Sequence, residues 1–370
     1  MDVLERAQEL DHEGHRVIHM EIGEPDFDTP PAALEAGIRA LRDGRTHYTH
    51  SLGLPELRES IAGWQRRRYG IEVDAEQVIV TIGTSGAMQL IFTALLDPGD
   101  EVILTDPHYA CYPNFLQAAG GQPVCVPISA DNGYQIESER VREACTPRTK
   151  AILVNSPANP TGAILRAETF RELAAIGLPI ISDEIYHGMV YEGRENSAFE
   201  FTDRAFAING FSKLFAMTGW RLGYCIVPKD FVRPIQKLQQ NLFICASDFG
   251  QHAALAALNE CDEDVERMVR IYAERRHFMV PRLGEIGLEV AYEPAGAFYI
   301  LTDAGNFEED SHKLAFEILE KAHVAVTPGI DFGDQAEGHL RFSYANSLEN
   351  LKEGMDRLEE FLKGQRTGEG

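Results

Sequence analysis

The sequence predicts an α/β protein: a mostly parallel seven-stranded sheet flanked by helices, joined to a smaller α+β domain. Three observations lead there. Between Val78 and Val227, short apolar, β-branched runs alternate with longer amphipathic stretches, the pattern of βαβ units. Residues able to do chemistry recur just past the ends of those runs. After about Pro228 the pattern changes to long helical stretches separated by brief apolar runs.

In chain order the strand candidates are 78–82, 101–104, 124–127, 151–154, 180–182, 205–208 and 224–227. Segments such as 87–96 and 166–175 repeat apolar residues at helical spacing. Right-handed crossovers then set successive strand ends along one edge, and ligands of open α/β sheets bind outside the carboxyl ends of the strands. Thr84 and Ser85 follow one candidate strand, Tyr109 another, and Asn159, Asp183 and Lys213 three more. Beyond Pro228 one helix starts near residue 230 and a longer one covers 263–283. Strands follow at 298–301, 324–327 and 340–343, with a last amphipathic helix over 348–362. The polar, glycine-rich tail 364–370 is expected to be disordered.

Composition narrows the function classes. The 370 residues are enough for two domains. A formal charge of -24 argues against nucleic acid, which calls for a basic footprint. No apolar run approaches the ~18 residues of a membrane span, and the first ten residues lack the apolar segment of a signal peptide. Six scattered cysteines without a C-x-x-C pair read as reduced thiols, so a cytoplasmic protein is expected. Twelve histidines show no H-E-x-x-H spacing, and no metal site is expected.

Lys213 is the most informative residue. It lies between two apolar runs, 205–208 and 224–227. A lysine so placed is either an ordinary loop residue or one whose charge is paired or pushed off by desolvation. A neutral amine is what a carbonyl electrophile needs to form a Schiff base. Arg221, eight residues later, is near enough to add a fixed positive charge. The run Gly83-Thr84-Ser85-Gly86-Ala87 ends a strand and opens a helix, so Thr84 or Ser85 is a helix cap or part of an anion site. Asp183 and Glu184 compete for the same turn, where either acid suits an N-cap. Arg341, on an apolar strand, needs a carboxylate, supplied by an internal ion pair or by a ligand.

The wider pattern resembles class I/II pyridoxal-phosphate aminotransferases, the fold type I family. Ser212-Lys213 with Met217-Thr218-Gly219-Trp220-Arg221-Leu222-Gly223 is similar to the family's lysine segment. Asn159-Pro160-Thr161-Gly162, Ser182-Asp183-Glu184-Ile185-Tyr186, Gly23-Glu24-Pro25-Asp26-Phe27 and Tyr48 ahead of Gly53-Leu54-Pro55-Glu56-Leu57-Arg58 follow its other motifs in order.

The resemblance implies pyridoxal 5′-phosphate as cofactor, bound to Lys213. Thr84, Ser85 and Arg221 would hold its phosphate, joined by Tyr48 of the partner subunit in a homodimer with shared sites. Asp183 would pair with the ring nitrogen, Tyr186 and Asn159 with the phenolic oxygen, and Tyr109 would stack on the ring. Arg341, Asn159 and Gly23 would bind the substrate α-carboxylate. Residues 31–262 would form the large domain, and 1–30 with 263–370 the small one. The implied reaction is ping-pong transfer between an amino acid and a 2-oxo acid. No arginine matches the side-chain receptor of dicarboxylate-specific members, so the donor stays open. A C–S β-lyase of the same fold is the alternative. A sensor domain that binds the cofactor without turnover is more distant, since the chain leaves no room for an attached DNA-binding domain.

Overall fold

Each of the seven apolar runs forms a strand of one sheet: β1 (Val78–Thr81), β2 (Glu101–Asp106), β3 (Gln122–Pro127), β4 (Thr149–Asn155), β5 (Ile180–Asp183), β6 (Ala205–Gly210) and β7 (Gly223–Ile226). The computed structural model describes residues 2–367. Strand order is β1-β7-β6-β5-β4-β2-β3. β7 runs antiparallel to both neighbours, and the β6-β5-β4-β2-β3 pairings are parallel.

The parallel strands are apolar throughout because helices cover both faces. In β4, Ala151 and Leu153 join the core under the Gly83–Leu95 helix, while Ile152 and Val154 join the opposite core with Phe170 and Leu173. Register places Asn155 beside Asp183, each the last residue of its strand. The carboxyl edge therefore gathers the ends of β2, β4 and β5 with the β6–β7 connection.

Four local features differ from the sequence reading. The first helix after β1 begins at Gly83, not near 87, so Thr84 and Ser85 lie inside its first turn. No side chain caps it. A helix at Asp248–Glu260 was not expected. Its alanine-rich surface is buried on several sides, with Ala253, Ala254, Ala256 and Ala257 all enclosed, so it carries little amphipathic signal. The expected strand 324–327 splits: Val324–Ala325 pairs in parallel with Ile18–His19, and Thr327–Pro328 joins a second sheet. The last helix runs through Leu348–Thr367, into the expected tail, of which residues 368–370 lie outside the described part.

The second sheet is antiparallel, with His339–Ser343 between Thr327–Pro328 and Tyr299–Asp303. Tyr299 pairs with Ser343 and Arg341 with Leu301, which puts Tyr299 and Arg341 on one face. Among the described residues no helix is long and apolar enough to cross a membrane.

Leu153 tests the two-faced core. Leu153→Ala removes a buried side chain from β4 and should cost about 3 kcal/mol of stability. Urea denaturation at constant m-value checks this, and a loss below about 1 kcal/mol would contradict close packing there.

Candidate active site

A cavity of ≈ 400 Å³ opens along the carboxyl edge of the seven-stranded sheet. It brings together Gly23, Thr84, Ser85, Tyr109, Asn159, Asp183, Tyr186, Lys213, Arg221 and Arg341. Tyr48 is the exception. It is 80% exposed and lies outside this cavity.

Asp183 ends β5 and is only 3% exposed. Its Oδ2 accepts from the Tyr112 hydroxyl at 2.7 Å and its Oδ1 from the Ile185 N–H at 3.1 Å. Burial pushes its pKa up to about 6, against those hydrogen bonds and the attraction of Lys213. The residues after Asp183 form turns, not a helix, so it is not a helix cap. Glu184 is committed elsewhere: its Oε1 accepts from Ser197 Oγ at 3.0 Å and from the Ala198 N–H at 3.1 Å. The structure thus separates two acids that sequence alone left equivalent.

Lys213 lies on the β6–β7 connection, half-buried, and its Nζ donates to the Gly23 carbonyl. Burial draws its pKa down to about 8. The Glu24 carboxylate opposes that shift, while Arg341 and Arg221 reinforce it. Gly23 is a glycine for a reason the sequence did not suggest: a Cβ there would stand 2.4 Å from the Tyr299 hydroxyl.

Arg221 takes a left-handed backbone, φ 53°, and its Nη1 donates to the Thr218 carbonyl at 2.9 Å. It reaches the start of the Gly83–Leu95 helix, where a Cβ on Gly83 would meet Arg221 Nη2 at 2.7 Å. Gly223, opening β7, sits against the same turn, because its Cβ would come within 2.8 Å of the Thr84 N. Free N–H groups, the positive helix end and a guanidinium therefore converge on one spot beside Thr84 and Ser85.

Arg341 is 5% exposed. Its hydrogen bonds run to Asn159 Oδ1 at 3.1 Å, Thr327 Oγ1 at 2.9 Å and the Glu21 carbonyl. None of these partners carries a charge, and its Nε has no partner among the described residues. The internal ion pair expected as one possibility is absent from this set of contacts. Two rings pack against the guanidinium, Tyr299 at 4.4 Å and Phe332 at 4.9 Å from Cζ to centroid. The Tyr299 hydroxyl also shares a 2.8 Å hydrogen bond with Tyr186.

Sequence reasoning missed Tyr112, Tyr299 and Asn155. Asn155 Nδ2 donates to the Asp183 carbonyl at 2.9 Å, while its Oδ1 accepts the Asn159 N–H at 2.8 Å, tying β4, β5 and the Asn159 turn together. Strand alternation carried a signal for Tyr299, which sits one pair from Arg341 on the same face. Tyr112 carried none beyond its place three residues after Tyr109.

The depressed Lys213 pKa has a direct consequence. Its amine is mostly protonated below about pH 8 and neutral above it, so acylation by a small amine reagent should rise about tenfold per pH unit up to that point and then level off. Peptide mass mapping after brief labelling checks this. A Lys213 profile still climbing at pH ~10, as for an ordinary lysine, would contradict the assignment.

Comparison with known proteins adds to this geometry. The family model "Aminotransferase class I and II" matches residues 15–358. The (5-formylfuran-3-yl)methyl phosphate transaminase of Methanocaldococcus jannaschii is 43% identical over 367 residues, covering 98% of this chain and 96% of that protein. The aspartate/prephenate aminotransferase of Thermus thermophilus is 40% identical over 365 residues, 96% of this chain and 94% of that one. The solved structure of Thermus thermophilus aspartate aminotransferase with maleate superposes with a TM-score of 0.93 at 40% identity, covering 97% and 95% of the two chains. The matched segment spans every cavity residue from Gly23 to Arg341, and the chain belongs to the class I and II aminotransferase family.

Proposed function

We propose that the cavity holds pyridoxal 5′-phosphate and that the enzyme passes the amino group of an L-amino acid to a 2-oxo acid in a ping-pong sequence. One observation carries the reading: a half-buried lysine with a depressed pKa shares a cavity with a buried arginine that has no charged partner among the described residues. The donor set fits the cofactor group by group. The N–H groups around Thr84 and Ser85, with Arg221, suit a phosphate. Asp183 suits a protonated ring nitrogen, Tyr109 a ring face, and Tyr186 with Asn159 a phenolic oxygen.

When bound, the cofactor supplies an aldehyde to carry the amino group and a ring to accept the electron pair released at the substrate Cα. The chain does the rest. Arg341 grips the substrate α-carboxylate, and its bond to Asn159 Oδ1 turns that amide so that Nδ2 is left to donate. Lys213 Nζ would take the proton from the substrate Cα and deliver it to the carbon that was the cofactor's aldehyde, acting as base and then acid. The Gly23 carbonyl, now its acceptor, aims the amine. Asp183 keeps the ring nitrogen protonated.

The proposal includes a homodimer in which Tyr48 of the partner subunit reaches the phosphate, consistent with a tyrosine this exposed on the isolated chain. It also includes closure of a small domain, residues 1–30 and 263–370, over a large domain, 31–262, to exclude water. Six free cysteines suit a reducing cytoplasm.

The test is to add single amino acids to the loaded enzyme without any oxo acid and follow its visible absorbance. A stoichiometric yield of the matching oxo acid is expected from the true donor, and Lys213→Ala should slow that half-reaction by at least about 10³-fold. An unchanged half-reaction in Lys213→Ala would remove the lysine from its role. Ammonia and pyruvate released from cysteine-type substrates would point to elimination instead.

A further inference from the structure

Arg341 is held by rings as well as by hydrogen bonds, and one of them, Phe332, belongs to a tight loop made of two short turns, Gly329–Phe332 and Asp334–Ala336. The end of β2, in the other sheet, fastens this loop. Asp106, the last residue of β2, is 7% exposed. Its Oδ1 accepts the Gln335 N–H at 3.1 Å, and the Asp334 N–H also bonds the carboxylate. Two residues on, the His108 N–H donates to the Phe332 carbonyl at 2.8 Å.

The loop is shaped to receive that carboxylate. Gly333 adopts φ +122°, and a Cβ there would stand 2.2 Å from Asp106 Oδ1. At Gly329 a Cβ would meet the Ala336 carbonyl at 1.9 Å, so the loop has no room to relax inward. Burial raises the carboxyl pKa, and the backbone donors of Gln335 and Asp334 offset part of that cost.

We infer that Asp106 is a positioning residue for substrate binding: its clasp on residues 333–335 seats Phe332 against Arg341 and so sets the affinity for the substrate α-carboxylate. The chain of contact is short. Asp106 fixes the loop backbone, the loop fixes the Phe332 ring, and that ring packs on the guanidinium together with Tyr299. A guanidinium held in plane loses less freedom when it binds a carboxylate bidentately. The inference rests on the proposed role of Arg341.

Two probes separate carboxylate affinity from general damage. The holoenzyme is titrated with 2-methylalanine, which has an α-carboxylate but no α-proton, and with isopropylamine, the same skeleton without the carboxylate. Visible absorbance of the bound cofactor gives each apparent Kd. Asp106→Ala should weaken 2-methylalanine about tenfold and leave isopropylamine unchanged. Asp106→Asn keeps one acceptor oxygen for the loop and should lose about threefold on the same probe only. Phe332→Leu should reproduce the alanine result.

Equal weakening of both probes, or no weakening of 2-methylalanine in the Asp106 and Phe332 variants, overturns the inference. If Asp106→Ala does not fold, the asparagine and leucine variants decide. Arg341→Gln distinguishes the two levels. If it collapses the preference for the carboxylate probe while the Asp106 variants do not, the clasp alone falls. If it leaves the preference intact, the reading of Arg341 falls and takes the clasp with it.

Discussion

Taking the Asp183 carboxylate out of water costs several kcal/mol, and much of the cavity wall consists of groups that offset this cost. Tyr112 and the Ile185 N–H satisfy its two oxygens, while Lys213 favours its ionised form from across the cavity. The offset is incomplete, and the carboxyl is pushed up to about 6. Lys213 is shifted the opposite way, to about 8, by the same lack of water. Each group is thus less comfortable in its charged form than in solvent. A cation beside Asp183 and an electrophile at Lys213 would relieve both conditions.

Sheet topology explains how the cationic half of the cavity is assembled. β7 is inserted antiparallel between β1 and β6, so the chain leaving β6 must turn at the carboxyl edge before re-entering. Lys213 and Arg221 both lie on that return. Its end, Gly223, packs on the turn that opens the Gly83–Leu95 helix so closely that any side chain would strike backbone. This contact brings a guanidinium to the positive end of a helix, an arrangement that favours an anion there.

How much of this was legible depended on whether a residue violates its surroundings. The seven strands were readable because two-sided burial leaves unbroken apolar runs. Lys213 and Arg341 stood out as charges among apolar neighbours. The acids did not sort themselves. β5 is buried on every residue, so no alternation separates Asp183 from Glu184, and only resemblance chose between them. Tyr112 was invisible because an aromatic residue in an apolar segment reads as core, which it also is, and the same reading hid the face that Tyr299 shares with Arg341. The Asp248–Glu260 helix escaped for a related reason, since burial on several sides erases the period that marks a helix. Asp106 lies beyond the expected strand 101–104 and carried no signal, because its clasp appears only when a loop more than two hundred residues later is folded against it.

The net charge of -24 raises an apparent conflict with a cavity built to bind anions. Distance resolves it. Exposed charges are screened beyond the Debye length, about 8 Å at physiological ionic strength, whereas Arg341 is buried and its field is little diluted by solvent. Many of the surplus acids are on the surface, several of them in exposed pairs with arginine or lysine such as Arg66–Glu72 and Arg140–Glu137, and contribute little to either stability or steering. A carboxylate entering the cavity therefore meets the local cations far more strongly than the overall charge. Besides Asp183, Glu24 places an acid at the cavity itself, where it faces Lys213 and accepts a hydrogen bond from Thr218. Glu24 moderates the lysine's shift, while the hydrogen-bond partners of Arg341 carry no charge.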